Sequence, residues 1–180
     1  MNLDWLKHCD PLAIAETSAW GGGLSVSVLI SLDSLLKSAQ VLKDNGLFLE
    51  FMTALDVQDG FFLSYLFCSW KTPLRIVLRA QISHDNPSIP SLAGIHSGAD
   101  WHERECHDFF GVLFTDHPNL NPLLLPAEME LRPLLKKPEH RKPVTTLMPV
   151  NQITPSSDKV QEHLFSFGNQ AGLPLRDNFR

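Results

Sequence analysis

Residues 101–111 read Trp101-His102-Glu103-Arg104-Glu105-Cys106-His107-Asp108-Phe109-Phe110-Gly111, and they crowd charge into a stretch short enough for one helix. Asp100 is placed to cap the first turn, with Glu103 three residues later as in a capping box. Gly111 is suited to end the helix in a left-handed conformation. A helix of about ten residues is therefore predicted.

Charged side chains line one face of this helix, where a small domain usually buries apolar surface. At three- and four-residue spacing, the residues of that face are Trp101, Arg104, Glu105 and Asp108. We expect Arg104 to bridge Glu105 and Asp108 in an ion-pair network that fixes the helix against its neighbours. An acid-base pair for hydrolysis is the alternative, but no nucleophile or second carboxylate cluster accompanies these residues.

His102 and Cys106 share the neighbouring face and come close to a zinc-protease motif, which needs a histidine where Cys106 stands. The remaining metal ligands would have to come from His96, His107 or His117, and none of these has a recognised spacing. A packed Cys106 and a hydrogen-bonded His102 are the favoured interpretation.

The helix and the residues after it resemble the signature of the NADH dehydrogenase C-subunit family, a peripheral-arm component of respiratory complex I and of related membrane-bound hydrogenases. The signature runs roughly Trp-x-Glu-Arg-Glu-x-x-Asp-aromatic-x-Gly, followed by His-Pro-x-Leu. The matching positions are Trp101, Glu103, Arg104, Glu105, Asp108, Phe109, Gly111, His117, Pro118 and Leu120. The resemblance extends upstream over residues 49–59 and 61–69 and over the loop 87–91.

This resemblance implies a structural subunit of a membrane-bound NADH:quinone oxidoreductase of the complex I type. The chain would brace the large quinone-site subunit and the neighbouring iron-sulfur subunit, with the signature residues at the subunit interface. It implies no catalytic residue, metal ligand or cofactor in this chain. NADH, FMN, iron-sulfur clusters and quinone, or a nickel-iron centre, are expected on partner subunits.

Three alternatives remain open at this point. The first is the equivalent subunit of an energy-converting nickel-iron hydrogenase, because Asn121 and Pro122 stand where the family usually carries two arginines. The second is a small freestanding metalloenzyme that uses His102 and Cys106. The third is an adaptor outside respiration that binds another partner through its proline-rich segment.

Composition places the chain among ordinary globular proteins, with 180 residues, 43% hydrophobic and 19% charged. No apolar run approaches the roughly 20 residues of a membrane-spanning helix. Residues 1–10 lack the basic flank and apolar block of a secretory signal. Cys9, Cys68 and Cys106 are too few and too far apart for a disulfide framework or an iron-sulfur cluster. We expect a cytoplasmic subunit, peripheral on the inner side of the membrane as part of a complex.

Charge divides the chain in two, since residues 1–130 hold 16 acids and 7 Lys or Arg, whereas residues 131–180 hold 4 acids and 8 bases. Eight prolines between residues 118 and 155 largely exclude regular structure there. We expect residues 127–180 to form an extended basic arm that packs on partner subunits. The cationic residues proposed to pair with the partner's acids are Lys136, Lys137, Arg141 and Lys142. An arm folded back on its own acidic body is the alternative, and nucleic-acid binding is disfavoured because no aromatic residues interleave the bases.

Residues 1–126 are predicted to form an α+β domain that includes the helix at 101–111, with a small, mostly antiparallel sheet and flanking helices. Residues 24–30 alternate as a strand, and a helix follows that ends at Asn45-Gly46. Residues 61–70 and 74–82 are predicted to pair as a hairpin. Residues 47–55 stay ambiguous between strand and helix, and residues 3–14 suggest an amphipathic helix that Pro11 interrupts.

Overall fold

The computed structural model describes residues 3–17, 24–144 and 154–155, which form an α+β fold. In chain order, the strands and α-helices are β1 Pro11–Thr17, β2 Leu24–Ile30, α1 Leu35–Asp44, β3 Leu47–Val57, β4 Gly60–Ser69, β5 Leu74–Ile82, β6 Ser88–Pro90, α2 Ala99–Phe110, β7 Leu113–Thr115 and β8 Thr154–Pro155. Short 3-10 helices span Asp4–Cys9, Leu32–Ser34 and Pro138–His140.

The main sheet has the strand order β3-β4-β5-β2-β1-β8, and the strands β6 and β7 form a separate two-stranded pair. Every pairing in the main sheet is antiparallel except that of β2 with β5, which is parallel. The predicted α+β class with a mostly antiparallel sheet is confirmed. Across the described residues, no helix combines the length and the hydrophobicity that crossing a bilayer requires.

One face of the sheet carries the main hydrophobic core. Side chains alternate along β5, where Ile76, Leu78 and Ala80 are fully buried between residues that face the other side. The helices α1 and α2 cover this face and contribute Leu42 and Cys106 to the same core. A smaller apolar cluster lies on the opposite face, where Val144 packs against strand residues.

Several local predictions can be compared directly with the structure. The predicted strand and helix of residues 24–44 are confirmed, and the helix stops at Asn45 as expected. The ambiguous stretch from residue 47 is a strand, because it pairs along its length with β4. The amphipathic helix predicted for residues 3–14 is wrong: a 3-10 helix occupies Asp4–Cys9 and Pro11 begins β1, since proline cannot continue the helical hydrogen bonds.

The helix α2 packs against β3, the strand at one end of the sheet. Cys106 makes a hydrogen bond with the backbone of Ala54 in β3. At the helix start, a side chain added at Gly98 would lie 3.7 Å from the backbone oxygen of Leu49. These contacts place α2 against β3 at the start of the helix and in its second half.

The tight turn before β4 generates a prediction. Gly60 has φ +136°, and an added Cβ would collide with the backbone of Ile82 in β5. We expect Gly60→Ala to lower the free energy of unfolding by about 2 kcal/mol or more, because neither the backbone angle nor the space admits a side chain. Urea denaturation measures the change. Gly94→Ala is the control, since no atom lies within 4 Å of its added Cβ and its φ is not positive; equal losses in the two variants would contradict the analysis.

Candidate functional site

The helix α2 contains the charged residues singled out in the sequence, and its start differs from the prediction. The residue before the helix is Gly98, and no side chain caps the first turn. The capping box of Asp100 and Glu103 is therefore wrong, because Glu103 turns away from the helix start and binds a preceding loop. The predicted end is confirmed: Gly111 adopts φ +78° and its N–H donates to the carbonyl of His107 at 2.9 Å.

Glu103 is a fully buried carboxylate that ties α2 to the loop after β6. Its Oε2 accepts a hydrogen bond from Ser91 Oγ at 2.5 Å, and its Oε1 accepts one from the N–H of Leu92 at 2.7 Å. Burial raises the pKa of Glu103 to about 7; the two hydrogen bonds lower it in part, and the nearby Asp100 raises it further. The fold therefore favours the protonated acid more strongly than water does.

His117 completes this buried group with a ring whose side chain is inaccessible to solvent. Its Nδ1 accepts a hydrogen bond from the N–H of Asn119 at 3.0 Å, which leaves Nε2 as the nitrogen that bears the proton. Nε2 faces the carbonyl oxygen of Asp100 at 3.2 Å and lies 3.7 Å from Oε2 of Glu103. Through His117, the chain that leaves β7 is joined to the first turns of α2.

Asp108 holds the loop of residues 121–125 against the helix. One carboxylate oxygen, Oδ2, accepts the backbone N–H groups of Leu123, Leu124 and Leu125 at 2.9, 2.8 and 3.1 Å. Burial alone would raise the pKa of Asp108, but the three N–H donors together outweigh it, so this pKa is lowered. The carboxylate thus organises three consecutive peptide groups into one concave turn.

Arg104 binds the same loop and does not form the predicted ion-pair network. Its Nε donates to the carbonyl of Asn121 at 2.9 Å and its Nη2 to that of Pro122 at 3.0 Å. No ion pair joins it to Glu105 or Asp108 among the described residues. The expectation of an Arg104 bridge is wrong because backbone donors satisfy Asp108 and backbone carbonyls satisfy the guanidinium.

Cys106 packs in the core as expected, but Nδ1 of His102 is buried and has no hydrogen-bond partner in the described part of the chain, so the expected hydrogen-bonded His102 is wrong. The ring of His102 meets the ring of Phe51 edge-on with centroids 5.7 Å apart. Cys106 is buried, and burial raises the pKa of its thiol to about 12, so the thiolate that binds metals is disfavoured. Within the ranges that the structure describes, no group of three or more His, Cys, Asp or Glu is placed to hold a metal ion. These contacts give the metalloenzyme alternative no support.

Exposure separates the residues of the signature into two sets. Glu103 and Asp108 are buried and serve the fold through their contacts with loops. Arg104 and Glu105 are partly exposed, whereas Trp101 exposes 67% of its surface. The second set can contact another protein without rearrangement of α2, and so can Pro118, which is exposed after the helix.

Sequence reasoning missed a third buried carboxylate, Asp56, at the end of β3. Its Oδ1 lies 2.7 Å from Nε2 of His84 and 2.9 Å from Nε of Arg141, and its Oδ2 accepts the N–H of Lys136 at 2.8 Å. A signal was present, because Met52, Ala54 and Asp56 alternate toward the buried side and only the last is charged. The partners could not be read from the sequence, since Lys136 lies 80 residues away.

The described part of the proline-rich segment returns to the body of the molecule. Leu134 donates its N–H to the carbonyl of Phe109 at 3.2 Å, and Gln58 donates its N–H to that of Lys142 at 3.0 Å. With the contacts of Asp56, these bonds fit the alternative of an arm folded back on its own body, as far as residue 142. The predicted division at residues 126 and 127, and packing of the arm on partner subunits, stay predictions. Most of residues 145–180 lies outside the described residues.

Comparison with known proteins identifies relatives of this chain. The profile of the family described as the 30 kDa subunit of respiratory-chain NADH dehydrogenase matches residues 28–144. The chain is 36% identical over 141 residues to the C-subunit of NADH-quinone oxidoreductase from Roseiflexus sp. strain RS-1, covering 74% of this chain and 80% of that protein. It is 37% identical over 65 residues to the C-subunit of F(420)H(2) dehydrogenase from Methanosarcina mazei, covering 36% of this chain and 41% of that protein.

Two solved structures share the fold. A trypsin-resistant fragment of Nqo5 superposes with a TM-score of 0.51 at 25% identity, covering 59% of this chain and 88% of the fragment. A chain of an archaeal respiratory membrane complex, the membrane-bound sulfane sulfur reductase, superposes with a TM-score of 0.62 at 16% identity. That superposition covers 86% of this chain and 93% of the other, so the likeness extends over most of the fold.

The buried Glu103 predicts a pH dependence of stability. Because its pKa rises from 4.5 to about 7 on folding, its contribution is fully present below pH 4.5 and is lost as the pH rises through about 7. The wild type should lose on the order of 3 kcal/mol of its free energy of unfolding between pH 4.5 and pH 8 relative to Glu103→Gln, which has no group to ionise at this position. Urea denaturation across this range measures the difference. Glu105→Gln on the same helix is the control, and a pH-independent difference for Glu103→Gln would contradict the prediction.

The lowered pKa of Asp108 predicts a pH dependence of stability that is opposite in sign to that of Glu103. We expect Asp108→Asn to lose on the order of 2 kcal/mol at pH 7, because hydrogen bonds to a charged acceptor are replaced by weaker ones and an amide group faces backbone donors. Its lowered pKa means that the contribution is present above the ordinary value of 3.8 and fades as the pH falls through the folded-state pKa. Denaturation at pH 7 and pH 3 measures both effects. The exposed Asp116→Asn, at a left-handed position that asparagine tolerates, should be nearly neutral.

Proposed function

The chain belongs to the family of the 30 kDa subunit of respiratory-chain NADH dehydrogenase, and we propose that it serves as a structural subunit in the peripheral arm of a membrane-bound NADH:quinone oxidoreductase of the complex I type. In this role it carries no cofactor of its own. It braces the large subunit that holds the quinone site and the neighbouring iron-sulfur subunit, and it reaches the membrane only through the complex.

The observation that carries the proposal is that the charged residues of α2 bind neighbouring parts of the same chain. Glu103, Asp108 and Arg104 all bind backbone groups or hydroxyls of adjoining loops, so these side chains serve the fold. A catalytic acid or base has to reach a substrate, and these groups are committed elsewhere. The same contacts hold a rigid helix whose outward side, with Trp101, is available to a neighbouring protein. A rigid scaffold of this kind suits a subunit that keeps redox centres at a fixed distance.

The relatives support a role apart from the electron donor. Their names specify NADH-quinone oxidoreductase in one case and F(420)H(2) dehydrogenase in another, while the related component bears the letter C in both. If the donor changes and this component persists, the donor is recognised on another chain. We therefore place NADH, FMN, iron-sulfur clusters and quinone on partner subunits. The equivalent subunit of a nickel-iron hydrogenase remains the second candidate, because Asn121 and Pro122 replace the family's usual arginines.

The test is co-purification from native membranes. We expect the tagged chain, extracted with mild detergent, to elute with a large quinone-site subunit and iron-sulfur subunits, identified by mass spectrometry. After the chain is separated from them, metal analysis and absorbance should find no stoichiometric iron or flavin in it. Elution with a nickel-iron subunit would select the hydrogenase candidate. Elution of the chain alone, or with its own bound cofactor, would contradict the proposal.

A further inference from the structure

Exposed apolar side chains lie on α2 and on two segments that hydrogen-bond to its C-terminal half. One segment contains Leu124, and the other runs from Leu131 to Leu135. We call this surface the apolar ridge. Its members are Trp101, Leu124, Leu131, Leu134 and Leu135. The exposed fractions of Trp101, Leu124 and Leu131 are 67%, 60% and 76%. Single exposed leucines are ordinary, but several on neighbouring segments mark an interaction site.

Hydrogen bonds to α2 fix the backbone of both segments that carry the ridge. Leu124 donates its N–H to Asp108 in α2, and Leu134 donates its N–H to the carbonyl of Phe109, the next residue of the helix. In the same segment as Leu134, Arg132 donates through Nη1 to the carbonyl of Asp108 at 3.2 Å. The leucines therefore stand on ordered peptide groups, and ordering them costs little additional entropy when a partner binds.

Asp56 holds the far end of the ridge. Its carboxylate accepts the N–H of Lys136, directly after Leu135, and pairs with Arg141. His84 contacts the same carboxylate from the end of β5, so three separate parts of the chain meet at one buried group. A carboxylate without solvent needs these donors, and the arm supplies two of them. The position of Leu134 and Leu135 thus depends on a residue that lies in the sheet.

Charge at one end of the ridge indicates the chemistry of its partner. Residues 131–144 contain five Lys or Arg and one acid, Glu139. Asp56 pairs with Arg141, whereas Lys136, Lys137 and Lys142 are exposed. Apolar side chains with a cationic border fit a protein surface that is apolar at its centre and carries carboxylates at one edge. Anionic lipid fits less well, because Glu128 and Glu130 lie exposed just before Leu131.

We propose that the apolar ridge is a preformed docking surface for one partner protein, with an apolar groove bordered on one side by carboxylates, and that Asp56 is the positioning residue that holds its far end. The inference rests on the proposed function, since the partner is a subunit of the same complex. The ridge is made by α2 and the two segments that hydrogen-bond to it, and it is ordered before the partner arrives.

The first experiment removes the apolar contacts and leaves the fold intact. We expect Leu131→Ser and Leu134→Ser in the full-length tagged chain to lower the recovery of partner subunits from membranes by roughly tenfold or more, since each leucine loses its burial in the partner. Leu36→Ser on α1 is the matched control, because Leu36 is a similarly exposed leucine outside the ridge. Thermal unfolding of the isolated variants should stay close to that of the wild type.

The second experiment moves the ridge without changing any of its side chains. In Asp56→Asn and in Arg141→Met, we expect hydrogen exchange of the amides of residues 134–142 to accelerate while β4 and β5 stay protected. Recovery of partner subunits should fall as it does for Leu131→Ser. Arg141→Met tests the same clamp without altering the sheet, so misfolding of Asp56→Asn would not decide the result. Fast exchange of this segment in the wild-type chain would overturn the preformed ridge.

The outcomes separate this inference from the proposed function. Normal recovery with Leu131→Ser and Leu134→Ser, alongside normal recovery with the wild type, would overturn the ridge and leave the proposed function standing. No recovery of redox subunits by the wild type would overturn the proposed function and the ridge together. Binding of the wild type to phosphatidylglycerol vesicles that Leu131→Ser abolishes, with complex recovery unchanged, would assign the surface to lipid and overturn the protein partner.

Discussion

The hydrogen bonds from three consecutive peptide N–H groups to the carboxylate of Asp108 hold the loop of residues 121–125 on α2. Residues 121–125 contain no regular structure, so their peptide donors need partners from elsewhere. Asp108 supplies one from the last turn of α2, and Arg104 satisfies two carbonyls of the same loop. On the other side of the helix, Glu103 does the same for the loop after β6. The helix α2 is therefore the element to which the irregular segments are attached.

The sequence predicted the helices and strands better than the hydrogen bonds that join them to the loops. Alternation along residues 24–30 and 74–82, and helical spacing between them, identified β2, β5 and α1 because those patterns come from burial against a single core. The charge of α2 was recognised, but its partners were sought on the helix itself. A helical projection shows Arg104 beside Asp108 and cannot show a loop that returns to the same place. The true partners are backbone atoms, and these have no sequence signal.

Asp56 illustrates a different limit. A charged residue on the buried side of β3 stands out once the strand is known, yet nothing in the sequence relates it to Arg141 or to His84. That relation depends on how the sheet and the proline-rich segment are placed, and residues 127–142 have almost no periodicity from which to infer a position. The family signature identified the type of subunit, which physical patterns alone did not. It did not distinguish which of its residues face inward.

The parallel pairing of β2 with β5 affects the order in which the chain folds during synthesis. Leu24 lies opposite Leu74, so the sheet joins residues 50 positions apart in the chain, whereas β3, β4 and β5 join through short connections. Closing so long a loop costs more entropy than forming a hairpin, and such contacts form late. On the ribosome, β1 and β2 have to wait until β5 has left the exit tunnel. During that interval their apolar side chains have no finished core to enter, and the nascent chain is then most exposed to aggregation.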